Sequence, residues 1–356
     1  MEETGLARRA AIVTIVVISI VVVALALWKI RIVIALLFLA FTLAAAMRPG
    51  VEWLRRRAHL PRGLGVLLHY VVFLAVIGLL LWLIVPRASV QVQHALGGVP
   101  TSASDLHKQA AHSTGIKHEI FTAIYKRLKN LPSGTSLIHP ALSVTRTAFE
   151  VLIAIFFTFA VAAYWIIERD RTIGLVQSLV PRRHRRVTRD TWMLIDQKLG
   201  AFVRGQLLLI ALVAALLSLA FWLDGEPYWL LLGIFAGIFE IVPVVGPLLV
   251  GVLAIGVGLT VSWQTAVGAA IAVLVLRQLE DYLVTPRVMG HAVGLSPLLV
   301  LVSVTTVGIL LGGLWILLAI PIASVVATLV DVIVRDVDPA EVDAPALLFA
   351  AKDSEG

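Results

Sequence analysis

Four ionisable side chains lie within long apolar stretches of this sequence, and they are the residues best suited to bind a charged species there. Glu240 stands alone in the run GIFEIVPVVGP, and Arg277, Glu280 and Asp281 lie within the run LRQLEDY. A charged group at the centre of a bilayer costs about 2.5–3.5 kcal/mol on insertion scales, so such residues usually face water or one another. Because side chains three or four positions apart share a helix face, Arg277 can pair with either carboxylate that follows it. The pattern predicts a site for a cation or a proton, or alternatively a set of ion pairs that only holds helices together.

Proline and glycine residues interrupt the chain immediately after Glu240. Pro243, Gly246 and Pro247 all lie within the next seven residues. Proline removes a helical hydrogen bond and glycine lowers the cost of a turn, and the backbone groups that they free need protein or water as partners. We therefore expect unwound backbone beside the Glu240 carboxylate. Its carbonyl groups would suit a cation or a proton, whereas helix N-terminal amides at the same tip would suit a polar or anionic substrate.

The composition places these residues in a membrane protein. In the 356-residue chain, AVILMFWYC make up 60% and charged residues only 14%, whereas soluble chains carry about 25% charged residues. A soluble enzyme, a nucleic-acid-binding domain and a disordered scaffold are excluded, because none of them has a place for so much apolar surface. The absence of cysteine excludes disulfides and thiolate metal sites. Nucleotide-binding loops and hydrolase motifs are also absent, so we expect neither an enzyme nor a cofactor.

Apolar runs of 16 to 22 residues predict membrane-spanning helices, because about 20 residues cross the hydrocarbon layer as an α-helix. The predicted fold class is an all-α polytopic membrane protein with about six full spans and two broken helical hairpins, or eight helices by conventional count. The first two spans, joined by only three residues, are predicted to form a tight hairpin. The six predicted spans are residues 10–28, 32–47, 64–85, 151–167, 205–223 and 262–282.

Two further apolar stretches are too long for one span, and both contain proline and glycine near their centres. Residues 227–259 are predicted to fold back at residues 243–247, and residues 296–334 near residues 308–313, with Pro321 beyond. Each hairpin follows one full span, and the two span-plus-hairpin units run in opposite directions. This is the layout of the inverted repeats of many secondary transporters, so residues 205–334 are predicted to be a transport core.

The distribution of positive charge predicts that both termini are cytoplasmic. In that orientation, 19 Lys and Arg residues lie inside and 9 outside, in line with the positive-inside rule. The predicted organisation outside the transport core is an N-terminal helix pair with a cytoplasmic loop (1–63), spans three and four with an extracytoplasmic insert (64–167, insert 86–146), a cytoplasmic basic amphipathic segment (168–204) and a cytoplasmic tail (335–356).

Two polar patches lie outside the predicted core. His107, His112 and His118 in the insert are spaced by five and six residues, which does not place them on one helix face, so we expect solvated histidines and no metal site. A group of arginines after the fourth span is expected to rest on anionic lipid headgroups, and no aromatic interleaving supports the alternative of nucleic-acid binding. These arginines are Arg182, Arg183, Arg185, Arg186 and Arg189.

Three stretches of the C-terminal half resemble a known family. The run EIVPVVGP from Glu240 resembles the E-x-x-P-x-x-G-P element of the AI-2E family transporters, a bacterial group of permeases and autoinducer-2 exporters. The runs QLEDYLVTPRVMGHAVG and GGLW, the second leading to AIP, resemble two further signatures of that family. Trp315 departs from the family, whose members more often carry glycine there, and it could line a solute path. The resemblance adds these residues to the candidate site: Gln278, Pro286, Arg287, Gly290, Gly312, Gly313 and Pro321.

Together these observations predict a secondary transporter or exporter in the inner membrane of a bacterium. The resemblance implies a homo-oligomer that moves a small polar solute, such as an autoinducer-2-like signal or another metabolite, coupled to H⁺ or Na⁺. The two hairpins would gate access to Glu240 and the Arg277–Asp281 group. Two alternatives stay open: a Na⁺/H⁺ antiporter of the same architecture, and a membrane scaffold or lipid-interacting protein that transports nothing.

Overall fold

The computed structural model describes residues 2–96, 138–242, 245–284 and 296–342, and every regular element within those ranges is helical. The ten α-helices there are α1 (Glu2–Lys29), α2 (Arg31–Ala58), α3 (Arg62–Leu96), α4 (Ile138–Leu179), α5 (Arg185–Leu223), α6 (Trp229–Phe239), α7 (Val245–Gly258), α8 (Trp263–Leu279), α9 (Pro297–Leu311) and α10 (Gly313–Ile333). A 3-10 turn (Arg182–His184) precedes α5, and a π-helix (Glu280–Val284) continues α8. The predicted all-α fold is therefore confirmed.

Six helices of the described ranges are long and apolar enough to cross a membrane: α1 to α5 and α10. The number agrees with the prediction, but the sixth helix of this length is α10 rather than the predicted segment 262–282. The reason is that α8 has only 17 residues before the π-helix begins, whereas α10 has 21. The apolar helices α6, α7 and α9 have 11, 14 and 15 residues. At about 1.5 Å per residue, none of these three reaches across ~30 Å of hydrocarbon.

The predicted tight hairpin between α1 and α2 does not form. The Ile30 N–H donates to the Ala26 carbonyl at the end of α1, and the Ile34 N–H donates to the Ile30 carbonyl at the start of α2, both at 3.1 Å, so only Ile30 separates the two helices. The guanidinium of Arg31 lies 4.2 Å from the centre of the Trp28 ring, one helical turn back. Every side chain from Ile12 to Ile30 is exposed. The junction contains neither proline nor glycine, so nothing in it reverses the chain.

The first predicted helix break is present at the end of α6. The N–H groups of Ile241 and Val242 bond to the carbonyls three residues before them, at 3.3 and 3.0 Å, which tightens the last turn into a 3-10 conformation. Gly246 then packs directly against the backbone of Phe239, so close that a Cβ atom at Gly246 would overlap the Phe239 carbonyl oxygen. The first hairpin, α6 with α7, therefore has a tight tip that depends on glycine.

The second predicted break is present at Gly312. This residue has φ +95° and ψ −178°, a conformation that is open to glycine and strained for other residues. Gly308 before the break packs against Ile316 after it, with the position of a Cβ at Gly308 lying 3.1 Å from the Ile316 side chain. The second hairpin, α9 with α10, therefore folds back on itself within the predicted interval.

The long helix α5 is the centre of the packing. The first hairpin and α8 pack against it and against each other around Phe221, while α2 packs on the N-terminal part of α5, where Gly200 approaches Ala45. The second hairpin packs through α10 against α5 and against α2, where Trp315 meets Ala35. Among the described residues, α8 thus partners the first hairpin.

Candidate functional site

The tip of the first hairpin holds Glu240 against α5. Gly233 and Gly237 of α6 let the two backbones come close, because a Cβ at Gly233 would overlap Ser218 and one at Gly237 would lie 2.7 Å from the Ile210 carbonyl oxygen. The side-chain Nε2 of Gln206 donates a hydrogen bond of 3.0 Å to the main-chain carbonyl of Glu240. Glu240 is buried, with 5% of its surface exposed. Its carboxylate is thus held at a fixed depth along α5.

The end of α8 brings the other three predicted charges to Glu240. Arg277 Nη1 lies 3.2 Å from Glu280 Oε2 and 3.8 Å from Glu240 Oε1, and Arg277 Nη2 lies 3.2 Å from Asp281 Oδ1. Glu280 and Asp281 open the π-helix (Glu280–Val284), a kind of element often found at functional sites. The predicted pairing of Arg277 with the residues three and four positions later is therefore present, and Glu240 joins it from another helix.

The charges of this Glu240 site, defined as Glu240, Arg277, Glu280 and Asp281, do not balance. Three carboxylates lie within 4 Å of one guanidinium, and the Glu240 and Glu280 side chains are only 7% and 8% exposed. Asp281 is about half exposed. When all four groups are ionised, the site has three negative charges and one positive charge, which is a net charge of −2. Buried charges need compensation, so the arrangement favours the uptake of a proton or another cation.

A small cavity adjoins the Glu240 site. Its volume is about 20 Å³, which is close to the space that one water molecule needs. Its apolar wall comes from α5, α6, α7 and α8, with Pro247 at the hairpin tip. The polar groups that line it are Glu240, Arg277 and Glu280. A single water molecule or small cation would therefore contact both buried carboxylates.

Other residues of the predicted site lie elsewhere. Gln278 is exposed on another face of α8, beside Tyr282 and Leu283. It does not join the Glu240 site, because a residue next to Arg277 in the chain points about 100° away around the helix. Four predicted site residues fall outside the described ranges, as do the three histidines of the insert: Pro243, Pro286, Arg287 and Gly290, and His107, His112 and His118.

The second hairpin is placed apart from the Glu240 site in the described part of the chain. Gly312 and Gly313 form its tip, and Pro321 is buried within α10. Trp315 is 9% exposed and packs against Ala35 of α2. This tryptophan therefore anchors α10 on α2, and the prediction that it could line a solute path finds no support in its packing.

The five arginines predicted to bind lipid headgroups have different surroundings. Arg182 and Arg183 are exposed in the 3-10 turn. Arg185 donates to the carbonyls of Val180 and Ser178. Arg186 lies 3.5 Å from Asp190 and 3.6 Å from Asp338, and Arg189 lines a large cavity beside α2.

Asp224 and Glu226 form a second acidic pair that the sequence analysis did not single out. Glu226 is 2% exposed, and neither of its carboxylate oxygens has a hydrogen-bond partner. Burial, together with the charge of Asp224, raises the pKa of Glu226 to about 7. Gly258 and Gly268 leave room for these two carboxylates. In the sequence, these two acidic residues lie in a short segment between two apolar runs. Such a segment is usually interpreted as a solvated loop.

Comparison with known proteins gives a consistent result. The model of the AI-2E family transporters matches residues 15–335. Bacillus subtilis YrrI, a transport protein by name, is 27% identical over 298 residues, which cover 81% of this chain and 83% of YrrI. YueF of the same organism, also named as a transport protein, is 28% identical over 301 residues, covering 81% and 80%. Escherichia coli K12 PerM, a permease by name, is 22% identical over 273 residues, covering 73% and 76%. These relatives are named for transport and not for catalysis, as predicted for this chain.

Proposed function

The chain belongs to the AI-2E family of membrane transporters, and from this premise we propose that it is a secondary transporter of a small polar solute, driven by protons that bind at the Glu240 site. An autoinducer-2-like signal is the first solute to consider, because the sequence resembles a family that includes autoinducer-2 exporters. The first hairpin would open and close the path past Glu240. The second hairpin packs on α2 and α5. It would therefore move together with those two helices.

The observation that carries this proposal is that the interrupted end of α6 lies beside a group in which carboxylates outnumber the single guanidinium. Glu240 lies at the tip of the first hairpin, within 3.8 Å of Arg277 on α8. Protonation of Glu240 would weaken its attraction to Arg277 and leave the guanidinium to Glu280 and Asp281. Because the tip is seated on α8 partly by this pair, a change of protonation would change how firmly the hairpin is held. Proton binding and gating would therefore be linked at one residue.

We prefer a proton to Na⁺ for the Glu240 site. Arg277 lies within 4 Å of all three carboxylates, so a metal cation would be repelled by a guanidinium at close range. A proton on one carboxylate oxygen requires no displacement of Arg277 and fits a cavity of about 20 Å³. A Na⁺/H⁺ antiporter of the same architecture is the second candidate, because three carboxylates against one guanidinium leave a negative charge that Na⁺ would balance if Arg277 moved away.

The length of α5 indicates how deep the Glu240 site would lie. Gln206, which bonds to Glu240, precedes Leu223 at the end of α5 by 17 residues, or roughly 25 Å of helix. With the basic segment between α4 and α5 on the cytoplasmic side, as the positive-inside rule predicts, Leu223 and the buried Glu226 would face the outside of a bacterial inner membrane. Glu240 would then lie in the inner half of the bilayer. A proton path along the first hairpin would run between the two carboxylates.

The test is flux in proteoliposomes with Glu240→Gln. Imposed pH and Na⁺ gradients should drive uptake of a polar solute from a panel headed by autoinducer-2. We expect the pH gradient to drive wild-type flux, and Glu240→Gln to reduce it at least tenfold. Glu150→Gln serves as the control, because Glu150 is exposed and its ion pair in the described structure is with the exposed Arg146 one turn earlier. The control should keep wild-type flux.

Three results would contradict the proposal. Full flux in a folded Glu240→Gln protein would remove the role of Glu240. Sodium-driven proton movement without any solute would favour the antiporter. No flux under any gradient would favour a membrane scaffold.

The chain has no cysteine, so single cysteines can be introduced at the exposed Leu310 and Leu253. Labelling them from each side of the membrane would test the orientation. Cross-linking them would test the expected homo-oligomer.

A further inference from the structure

A large cavity lies between α2, α4 and α5, at a distance from the Glu240 site. Its volume is about 730 Å³, and it is partly open to the surroundings. Asp196, which lines it, precedes Gln206 on α5 by ten residues, or roughly 15 Å of helix. We call it the arginine cavity because of the six arginines in its lining: Arg48, Arg55, Arg56, Arg62, Arg169 and Arg189.

The arginine cavity carries an excess of positive charge. Its lining contains three acidic side chains, Glu52, Asp170 and Asp196, against six arginines. Asp196 is shared by Arg48 at 2.7 Å and Arg169 at 3.1 Å. Glu52 and Asp170 both pair with Arg62, at 3.1 and 2.7 Å. The described lining therefore has a net charge of +3 when all its groups are ionised, around a space large enough for a small organic anion.

One of these arginines has an unmet hydrogen-bond donor. The Arg169 side chain is 11% exposed, and its Nε–H is buried without a partner in the described structure. A buried donor without an acceptor costs free energy, and a bound anion in the cavity would supply one. Arg169 also bonds Asp196 through Nη2, so the guanidinium plane is held in place before any ligand arrives.

Part of the lining of the cavity is aromatic and apolar. Trp165 lines it, and its ring lies 4.6 Å from the ring of Phe41 and 5.6 Å from that of Trp192. Ile166 and Met193 extend the apolar lining. Trp165 precedes Arg169 by one helical turn and Met193 follows Arg189 by one turn, so a ligand would meet apolar surface and guanidinium groups side by side.

We propose that the arginine cavity binds an anion that carries a phosphate group. Guanidinium forks match phosphate oxygens in pairs and remain charged at every physiological pH. The apolar wall would accommodate the remainder of the molecule. The phosphate can come from a soluble phosphorylated compound or from the headgroup of an anionic lipid that enters from the bilayer. This site is separate from the transport site and does not depend on the proposed transport activity.

The test measures binding to the purified full chain in zwitterionic detergent at constant ionic strength. Inorganic pyrophosphate and short-chain phosphatidylglycerol are the two probes, and the readout is the fluorescence of Trp165, assigned by its loss in Trp165→Phe. We expect saturable binding of at least one probe. Pyrophosphate binding would indicate a soluble ligand, and binding of the lipid alone would indicate a headgroup site.

Two double variants separate the cavity from the general charge of this surface. Arg55→Gln with Arg189→Gln removes two exposed arginines of the cavity and should weaken binding at least tenfold. Arg57→Gln with Arg171→Gln removes the same charge from exposed positions of α2 and α4 that do not line the cavity and should change affinity less than twofold. Equal weakening by both pairs, or no saturable binding of either probe, would overturn the proposal.

A third variant keeps the test informative if the arginine pair destabilises the protein. Gln177 lines the same cavity and is partly exposed. Gln177→Glu adds a negative charge without removing any arginine, so it should weaken the binding of the probe several-fold while the protein keeps its wild-type Tm. Unchanged affinity in a folded Gln177→Glu protein would also contradict the proposal.

Discussion

The two polar sites of this molecule are built from the same ionisable groups in opposite proportions. At the Glu240 site three carboxylates surround one guanidinium beside a cavity of about 20 Å³. The arginine cavity has six guanidiniums and three carboxylates around about 730 Å³. A small site with acidic excess suits a proton, whereas a large site with basic excess suits an anion. The sign of the excess charge and the volume therefore distinguish the two sites, although both contain close ion pairs.

The largest expected effect is at Arg277. Arg277→Gln removes the guanidinium from three carboxylates, two of which are buried. Removing one member of a buried ion pair typically costs about 3–5 kcal/mol, so we expect a large loss of stability, measured as the Tm of the detergent-solubilised protein. Arg146→Gln is the control, because Arg146 is 82% exposed and such surface pairs contribute at most about 1 kcal/mol.

A double variant sharpens the same comparison. Glu240→Gln added to Arg277→Gln removes one of the carboxylates left without compensation, so it should recover part of the lost Tm. A Tm of Arg277→Gln equal to that of Arg146→Gln would show that the Glu240 site is solvated like a surface pair. In that case the contrast with the open arginine cavity would disappear.

The next effect is at the tip of the first hairpin. A Cβ atom at Gly246 would overlap the Phe239 carbonyl oxygen, so Gly246→Ala should lower stability by about 1–3 kcal/mol, the usual range for overpacking. It should also reduce flux, because the tip carries Glu240. Gly256→Ala in the same helix is the matched control, since its Cβ would meet no atom within 4 Å. That control should raise stability by up to about 1 kcal/mol. Equal Tm values for the two variants would contradict the tight tip.

The smallest expected effect is the pH dependence that Glu226 confers. Burial and the neighbouring Asp224 raise the pKa of Glu226 from its usual 4.5 to about 7 in the folded protein. The folded state therefore holds this proton more tightly than the unfolded state does, and stability falls as the pH rises from about 4.5 through 7. We expect the Tm of wild type to fall by a few degrees relative to that of Glu226→Gln between pH 5 and pH 8, because Gln stays neutral throughout.

Glu341→Gln provides the control for this titration. Glu341 is exposed near the C-terminal end of the described residues, so its substitution should leave the pH dependence of Tm unchanged. A wild-type pH dependence that persists in Glu226→Gln would mean that another group causes it. The proposed proton path along the first hairpin would then lose its outer carboxylate.

The two helix breaks, and the position of Glu240 beside the first of them, could be predicted from the sequence because local residues cause the breaks. Gly246 and Gly312 act through the conformation and size of one residue, and that information is carried by the residue itself. The prediction for α1 and α2 was wrong for a related reason. A short charged linker between two apolar runs resembles a turn, but Lys29 and Arg31 are both helical, and every side chain from Ile12 to Ile30 is exposed, so α1 does not pack back on α2.

Contacts between distant parts of the chain could not be predicted in the same way. Arg48 and Asp196 are 148 residues apart, and the basic residues of this region were interpreted as topogenic charge because their number and position along the chain suggested nothing more. Glu226 is also inconspicuous in the sequence. Its burial depends on Gly258 and Ala266, which come from a hairpin and a helix that follow it.

By itself, the sequence determined that this protein is an all-helical membrane protein of the AI-2E family with two interrupted helical segments and an acidic residue next to one of them. These features follow from residue type and local spacing. Only the tertiary structure decided that Glu240 meets Arg277, that Gln278 lies outside this site, and that six arginines surround one cavity. Such groupings depend on how helices pack, because the distance between two side chains in space is set by packing and not by their separation along the chain.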